Sequence, residues 1–138
     1  MQDKHALVQF AGNDFFVATT PSGHSQVIDF NGIRNSAAGP LELLLVALGG
    51  CTGADVISIL QKKREPVTGY HIEVRGERRE EHPKSFRRIE VKHVVRGKGI
   101  SKEAVEHAVA LSTDKYCSVV ATLRPTAEIV PVIEIVEE

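Results

Sequence analysis

The stretch from Pro40 to Lys63 restricts what this chain can fold into more than any other. Leu41, Leu43, Leu44, Leu45, Val46, Ala47 and Leu48 would cover every side of a helix. A helix that is apolar all round belongs inside a core or an interface. Pro40 suits a first helical position, where a missing N–H is no loss. Glu42 places a carboxylate in the first turn, where the helix dipole favours it. Lys62-Lys63-Arg64 followed by Pro66 supplies the stop. The spacing therefore predicts one long helix over 40–63.

The flanking segments read as strands and shorter helices. Ala6–Phe10, Asp14–Thr20 and Gln26–Phe30 are three short strand-like runs separated by Gly12-Asn13 and Pro21-Ser22-Gly23, which predicts an antiparallel meander. After the long helix, His71–Arg75 and Ile89–Val95 alternate apolar and polar residues, as half-buried strands do. The polar Glu80–Lys84 between them makes a long hairpin. Ser101 is placed to cap a second helix, along which Val105, Ala108, Val109 and Ser112 recur at helical spacing. Tyr116–Leu123 predicts a third helix, and Glu128–Val136 a final strand. The order implies an α+β class, with helices on one side of antiparallel sheet. A length of 138 residues suits a single domain over 1–138.

Composition excludes several classes of function. The net charge of −1 argues against nucleic acid or an anionic membrane as the main partner. The leading residues Met1–His5 are polar, and the longest unbroken apolar run, Leu43–Leu48, is too short to span a bilayer. A cytoplasmic location is the resulting expectation. No phosphate-binding glycine loop and no Gly-x-Ser-x-Gly elbow occur.

Two cysteines carry the chemistry that remains. In a reducing compartment they are inert core residues, metal ligands or redox-active groups. None of the six histidines stands at a spacing that would build a zinc site with them. Cys51 lies in Leu48-Gly49-Gly50-Cys51-Thr52-Gly53, inside the long helix. Each mid-helix glycine costs roughly 1 kcal/mol relative to alanine. Such glycines either admit a close neighbour or mark a break whose free N–H groups would favour a thiolate. Asp55, four positions after Cys51, needs a cation or must face elsewhere; Arg34, Arg87, Arg88 and Lys115 are the candidates. Cys117 lies in Lys115-Tyr116-Cys117-Ser118-Val119, where the start of a helix would lower its pKa.

Taken as a block, Gly39-Pro40-Leu41-Glu42-Leu43-Leu44-Leu45-Val46-Ala47-Leu48-Gly49-Gly50-Cys51-Thr52, with Lys115–Val119 downstream, resembles the OsmC/Ohr family. Arg78-Arg79-Glu80-Glu81-His82-Pro83 resembles an OsmC-like branch of wider role. The resemblance implies an α+β fold of antiparallel sheets on long central helices, in an intertwined homodimer. It implies a two-cysteine peroxidase that reduces organic hydroperoxides, and in some members hydrogen peroxide, with neither metal nor prosthetic group. Cys51 would attack the peroxide, Cys117 would resolve the sulfenic acid, and a dithiol reductant would restore both. Glu42 is the carried-over site carboxylate, although Leu41 occupies the position where the Ohr branch has its glutamate. The family's N-terminal arginine has no counterpart before Arg34. The rival expectations are a non-enzymatic dimer, binding a small apolar ligand or serving as a slow redox sensor, and a structural domain with inert thiols.

Overall fold

Residues 3–138 are described by a computed structural model; Met1 and Gln2 of the polar leading stretch lie outside it. The described chain forms two compact units, one ending at Leu44 and one spanning Leu45–Glu138.

The first unit is the expected meander. Strands β1 (Leu7–Phe10), β2 (Phe15–Thr19) and β3 (Ser25–Asp29) pair antiparallel in the order β1-β2-β3. The β1–β2 turn puts Gly12 and Asn13 at positive φ, which these two residue types tolerate best. Asp29, at the end of β3, is buried and organises the loop that follows. Its carboxylate accepts hydrogen bonds from the Arg34 guanidinium at 2.8 and 3.0 Å, from the Asn31 and Ser36 N–H groups, and from the Ser36 hydroxyl. The Arg34 guanidinium holds the Asp29 carboxyl far below the usual carboxylate range.

Helix α1 (Pro40–Lys62) starts and stops as its sequence predicts, within one residue. The Glu42 carboxylate accepts the Gly39 N–H at 2.9 Å, half of a capping box. At the other end Arg64 takes a positive φ and the Glu65 N–H reaches back to the Leu60 carbonyl. Within the single chain, α1 is buried on one face. Leu48, Gly49, Thr52, Gly53, Val56 and Leu60 form one buried face, whereas Val46 stays 66% exposed. The reading of a short apolar run also changes. Through glycine, threonine and alanine the apolar character continues past Leu48, so by length and composition α1 is long enough to cross a membrane. Only 33% of its most apolar window is buried within the chain.

The second unit packs α1 and α2 (Lys102–Leu111) on a three-stranded sheet. The hairpin β4 (Val67–Arg78) and β5 (Phe86–Gly97) is longer than the alternation suggested. Ser101 caps α2 as expected, accepting the Ala104 N–H at 3.1 Å. A π-helical turn (Ser112–Tyr116) and α3 (Ser118–Leu123) then lead to β6 (Glu128–Glu137). Val56, Leu60, Val95, Val105, Ala108 and Val109 make the core between α1, β5 and α2. The expectation of purely antiparallel sheet is overturned here: β6 runs parallel to β5. The helical connection carries the chain back to the end where β5 began, as a parallel crossover requires. Pro131 is tolerated because β6 is an edge strand.

Candidate functional site

The site is built where α1 crosses the second unit's sheet. Gly53 faces Ile72 so closely that an added Cβ would lie 2.5 Å from the Ile72 tip, and one on Gly49 would lie 3.2 Å from Val74. These glycines admit a close neighbour, and the break in the helix that they allowed does not occur: α1 is continuous through Cys51. Cys51 therefore sits mid-helix and half-buried, as a free thiol.

Cys117 comes to it from the other side of the crossover. It is 4% exposed, free, and forms the N-cap of α3, its sulfur accepting the Val120 N–H at 3.4 Å. The lowered pKa expected at a helix start is not found. Burial pushes the Cys117 thiol up to about 11; the Val120 N–H pulls the other way, and the adjacent Cys51 side chain adds to the rise. The structure thus brings the two cysteines into direct electrostatic contact, one partly open and one enclosed and protonated.

Behind them lies a polar chain that sequence reading did not assemble. Asp55 faces none of the cations proposed for it; its carboxylate accepts a hydrogen bond from the Ser112 hydroxyl at 2.8 Å. The Ser112 and Thr52 hydroxyls are 2.8 Å apart, both buried. The Ser112 hydroxyl has a single hydrogen and donates it in the bond to the carboxylate, so in the hydroxyl pair Thr52 donates and Ser112 accepts. The readable signal was a serine on the apolar face of a helix, one residue type out of place. The candidate cations are otherwise engaged: Arg34 with Asp29, Arg87 and Arg88 with Glu77, and Lys115 over the Tyr116 ring. Glu42 is held locally in the first turn of α1 by Gly39.

One further polar residue is enclosed nearby. His93 is fully buried on the helix-facing side of β5, where it alternates with Ile89, Val91 and Val95. Its Nδ1 pairs with the Tyr70 hydroxyl at 2.7 Å, and its Nε2 has no hydrogen-bond partner among the described residues. Burial lowers the His93 pKa to about 4 and pushes that of Tyr70 well up. Among the described residues no three of His, Cys, Asp or Glu converge where a metal could sit. An open, mainly apolar groove of about 480 Å³ is lined by Leu45, Val46, Gly49, Gly50, Ile72 and Val74; Cys51, about 200° round the helix from Gly49, is not part of its lining.

Known proteins share this sequence pattern and this fold. The sequence pattern described as OsmC-like protein matches residues 33–131. Protein YhfA of Escherichia coli K12 is 40% identical over 131 residues, covering 95% of this chain and 97% of that protein. The crystal structure of a hypothetical protein from Aquifex aeolicus VF5 superposes with a TM-score of 0.89 at 37% identity, covering 100% of this chain and 99% of the other. An organic hydroperoxide resistance protein OsmC from Legionella pneumophila superposes at 0.72 with 13% identity, covering 97% of this chain and 98% of that one. At that identity the likeness concerns the fold.

Proposed function

This chain belongs to the OsmC-like protein family, and from that premise we propose that it is a two-cysteine, thiol-dependent peroxidase acting on organic hydroperoxides. The observation that carries the reading is the pairing of two free cysteines from distant parts of the sequence, one half-buried and one enclosed.

The chemistry follows from that inequality. The partly open Cys51, as thiolate, attacks the O–O bond of a hydroperoxide. Its sulfur is oxidised to sulfenic acid, and the peroxide is reduced to an alcohol that leaves with a proton. The enclosed Cys117 stays a thiol until the sulfenic acid forms beside it. Condensation then gives a disulfide and water before further oxidation can occur. An external dithiol returns both sulfurs to thiols. The apolar character of α1, which carries Cys51, supports a preference for organic over hydrogen peroxide. Hydrogen peroxide would be the poorer substrate, and the reducing cytoplasm the compartment that keeps both thiols ready.

The same reading includes a homodimer. The groove leaves Val46 exposed, and in the first unit Leu7, Val8 and Phe10 are each more than half exposed. A second copy covering these surfaces would remove them from water.

Intact-mass measurement after one equivalent of cumene hydroperoxide tests the proposal. Wild type should lose about 2 Da, the signature of one disulfide, and Cys117→Ser should gain the oxygens of a sulfenic or sulfinic acid. Cys51→Ser should consume no hydroperoxide. If none of the three reacts while an apolar ligand raises the melting temperature, the groove favours the rival reading of a ligand-binding dimer.

A further inference from the structure

Ser112 opens the π-helical turn that delivers Cys117. Its carbonyl accepts the Cys117 N–H at 2.8 Å, closing a ring one residue wider than an α-helical one. That extra residue rotates everything after it by about 100° around the helix axis relative to a regular continuation. The direction in which Cys117 points is therefore set by this turn.

The turn is tied to the helix that carries Cys51 by one buried hydroxyl. Ser112 Oγ donates to Asp55 at 2.8 Å, lies 2.8 Å from Thr52 Oγ1, and lies 3.5 Å from the Thr52 carbonyl oxygen. Thr52 and Asp55 are one and four residues beyond Cys51. Arg124 donates to the carbonyl of the next residue, Thr113, at 2.8 Å, so the start of the turn is held by two side chains from different elements. Ser112 is fully buried, and a hydroxyl without partners there would cost about 1–3 kcal/mol, so the network is not easily exchanged for another.

Resting on the peroxidase reading, we propose that Ser112 is the positioning residue for disulfide closure. Its hydroxyl fixes the π-helical turn against α1 so that the Cys117 sulfur stays within reach of a Cys51 sulfenic acid. The step is Cys51–SOH plus Cys117–SH giving Cys51–S–S–Cys117 plus water. The Cys117 sulfur forms the new bond, the S–O bond of Cys51 breaks, and the Cys117 proton leaves with the hydroxyl. Closure needs the two Cα atoms about 4.4–6.8 Å apart, and misplacement by about 1 Å can slow a reaction about a hundredfold.

Ser112 makes no contact with the peroxide in this scheme, so its removal should separate two rates. Rapid-quench mass spectrometry with one equivalent of cumene hydroperoxide reads both, using dimedone to trap sulfenic acid. In Ser112→Ala, closure should slow at least about tenfold relative to Cys51 oxidation, and sulfinic product should accumulate. Asp55→Ala, which removes the acceptor of the same bond at a half-exposed position, should do likewise and serves if the serine variant fails to fold. Asp55→Asn keeps an acceptor oxygen and should restore closure. A loss of thermal stability with the ratio of rates unchanged would overturn the positioning role and leave the peroxidase reading standing. Failure of wild type to form any disulfide would overturn both.

Discussion

Two thiols of one chemical type are made different by where their residues stand. Cys51 projects from the middle of α1 and is half-buried; Cys117 is enclosed and holds its proton up to a pH of about 11. Iodoacetamide at pH 7.5 should therefore label Cys51 in the native protein, and Cys117 only after denaturation or as the pH approaches 11. Peptide mapping would show this, and equal native labelling of both would contradict the assignment of roles. His93 makes a second residue-scale prediction. Its folded pKa of about 4 lies below the unfolded value of 6.5, so between these values the unfolded chain binds more protons. Stability should be fully present above about pH 6.5, fall as the pH drops towards 4, and level off below it. A shift of this size corresponds to a loss of up to about 3 kcal/mol. Urea titrations at several pH values would measure it. His93→Asn, which can still meet the Tyr70 hydroxyl but does not titrate, should flatten the curve; an equal slope in that variant would place the proton elsewhere.

At the scale of elements, α1 shows which features a sequence displays and which it hides. Its ends were legible, because Pro40, Glu42 and the Lys62-Lys63-Arg64 terminus act locally through capping and the dipole. The meander and the long hairpin were legible for the same reason, since turns and alternation are short-range signals. The direction of β6 was not, because it depends on the crossover through α2 and α3 and not on the strand's own residues. The π-helical turn and the Asp55–Ser112–Thr52 chain were hidden likewise: one extra residue in a turn leaves no periodic mark, and Ser112 looked like another position on an apolar face. The glycines of α1 were visible, and their purpose was resolved only by Ile72 and Val74. Gly53→Ala should gain about 1 kcal/mol of helix propensity and lose about 1–3 kcal/mol through the contact with the Ile72 tip, a net loss of between about zero and 2 kcal/mol according to how far that tip can turn aside. Adding Ile72→Val removes that methyl and should recover most of the loss. Denaturation of the single and double variants would reveal the coupling, and additive effects would mean that Gly53 does not serve the approach to β4.

For the whole molecule, the apolar surface that each unit leaves uncovered is the fact to be explained. In the first unit, Phe10 packs its ring against Phe16 and Phe16 against Phe30, yet Phe10 remains 64% exposed. In the second, the groove along α1 is floored by Gly49 and Gly50 and edged by Leu45, Val46, Ile72 and Val74. A three-stranded meander of this size has no helix of its own to bury an aromatic face, and a helix with Val46 in water forfeits the stabilisation its leucine-rich sequence could supply. Both surfaces are satisfied at once if the folded protein is two chains. The wild-type protein should then sediment as a dimer at micromolar concentration, with a melting temperature that rises with concentration. Val46→Arg replaces a side chain that is 66% exposed in the single chain, at the edge of the groove. A single folded chain would accept it with a change of about 0.5 kcal/mol or less. Across a dimer interface the two guanidinium groups would have to be desolvated, so the variant should sediment as a monomer and melt well below wild type. A wild-type monomer, or a Val46→Arg dimer of normal stability, would mean that another partner covers this groove.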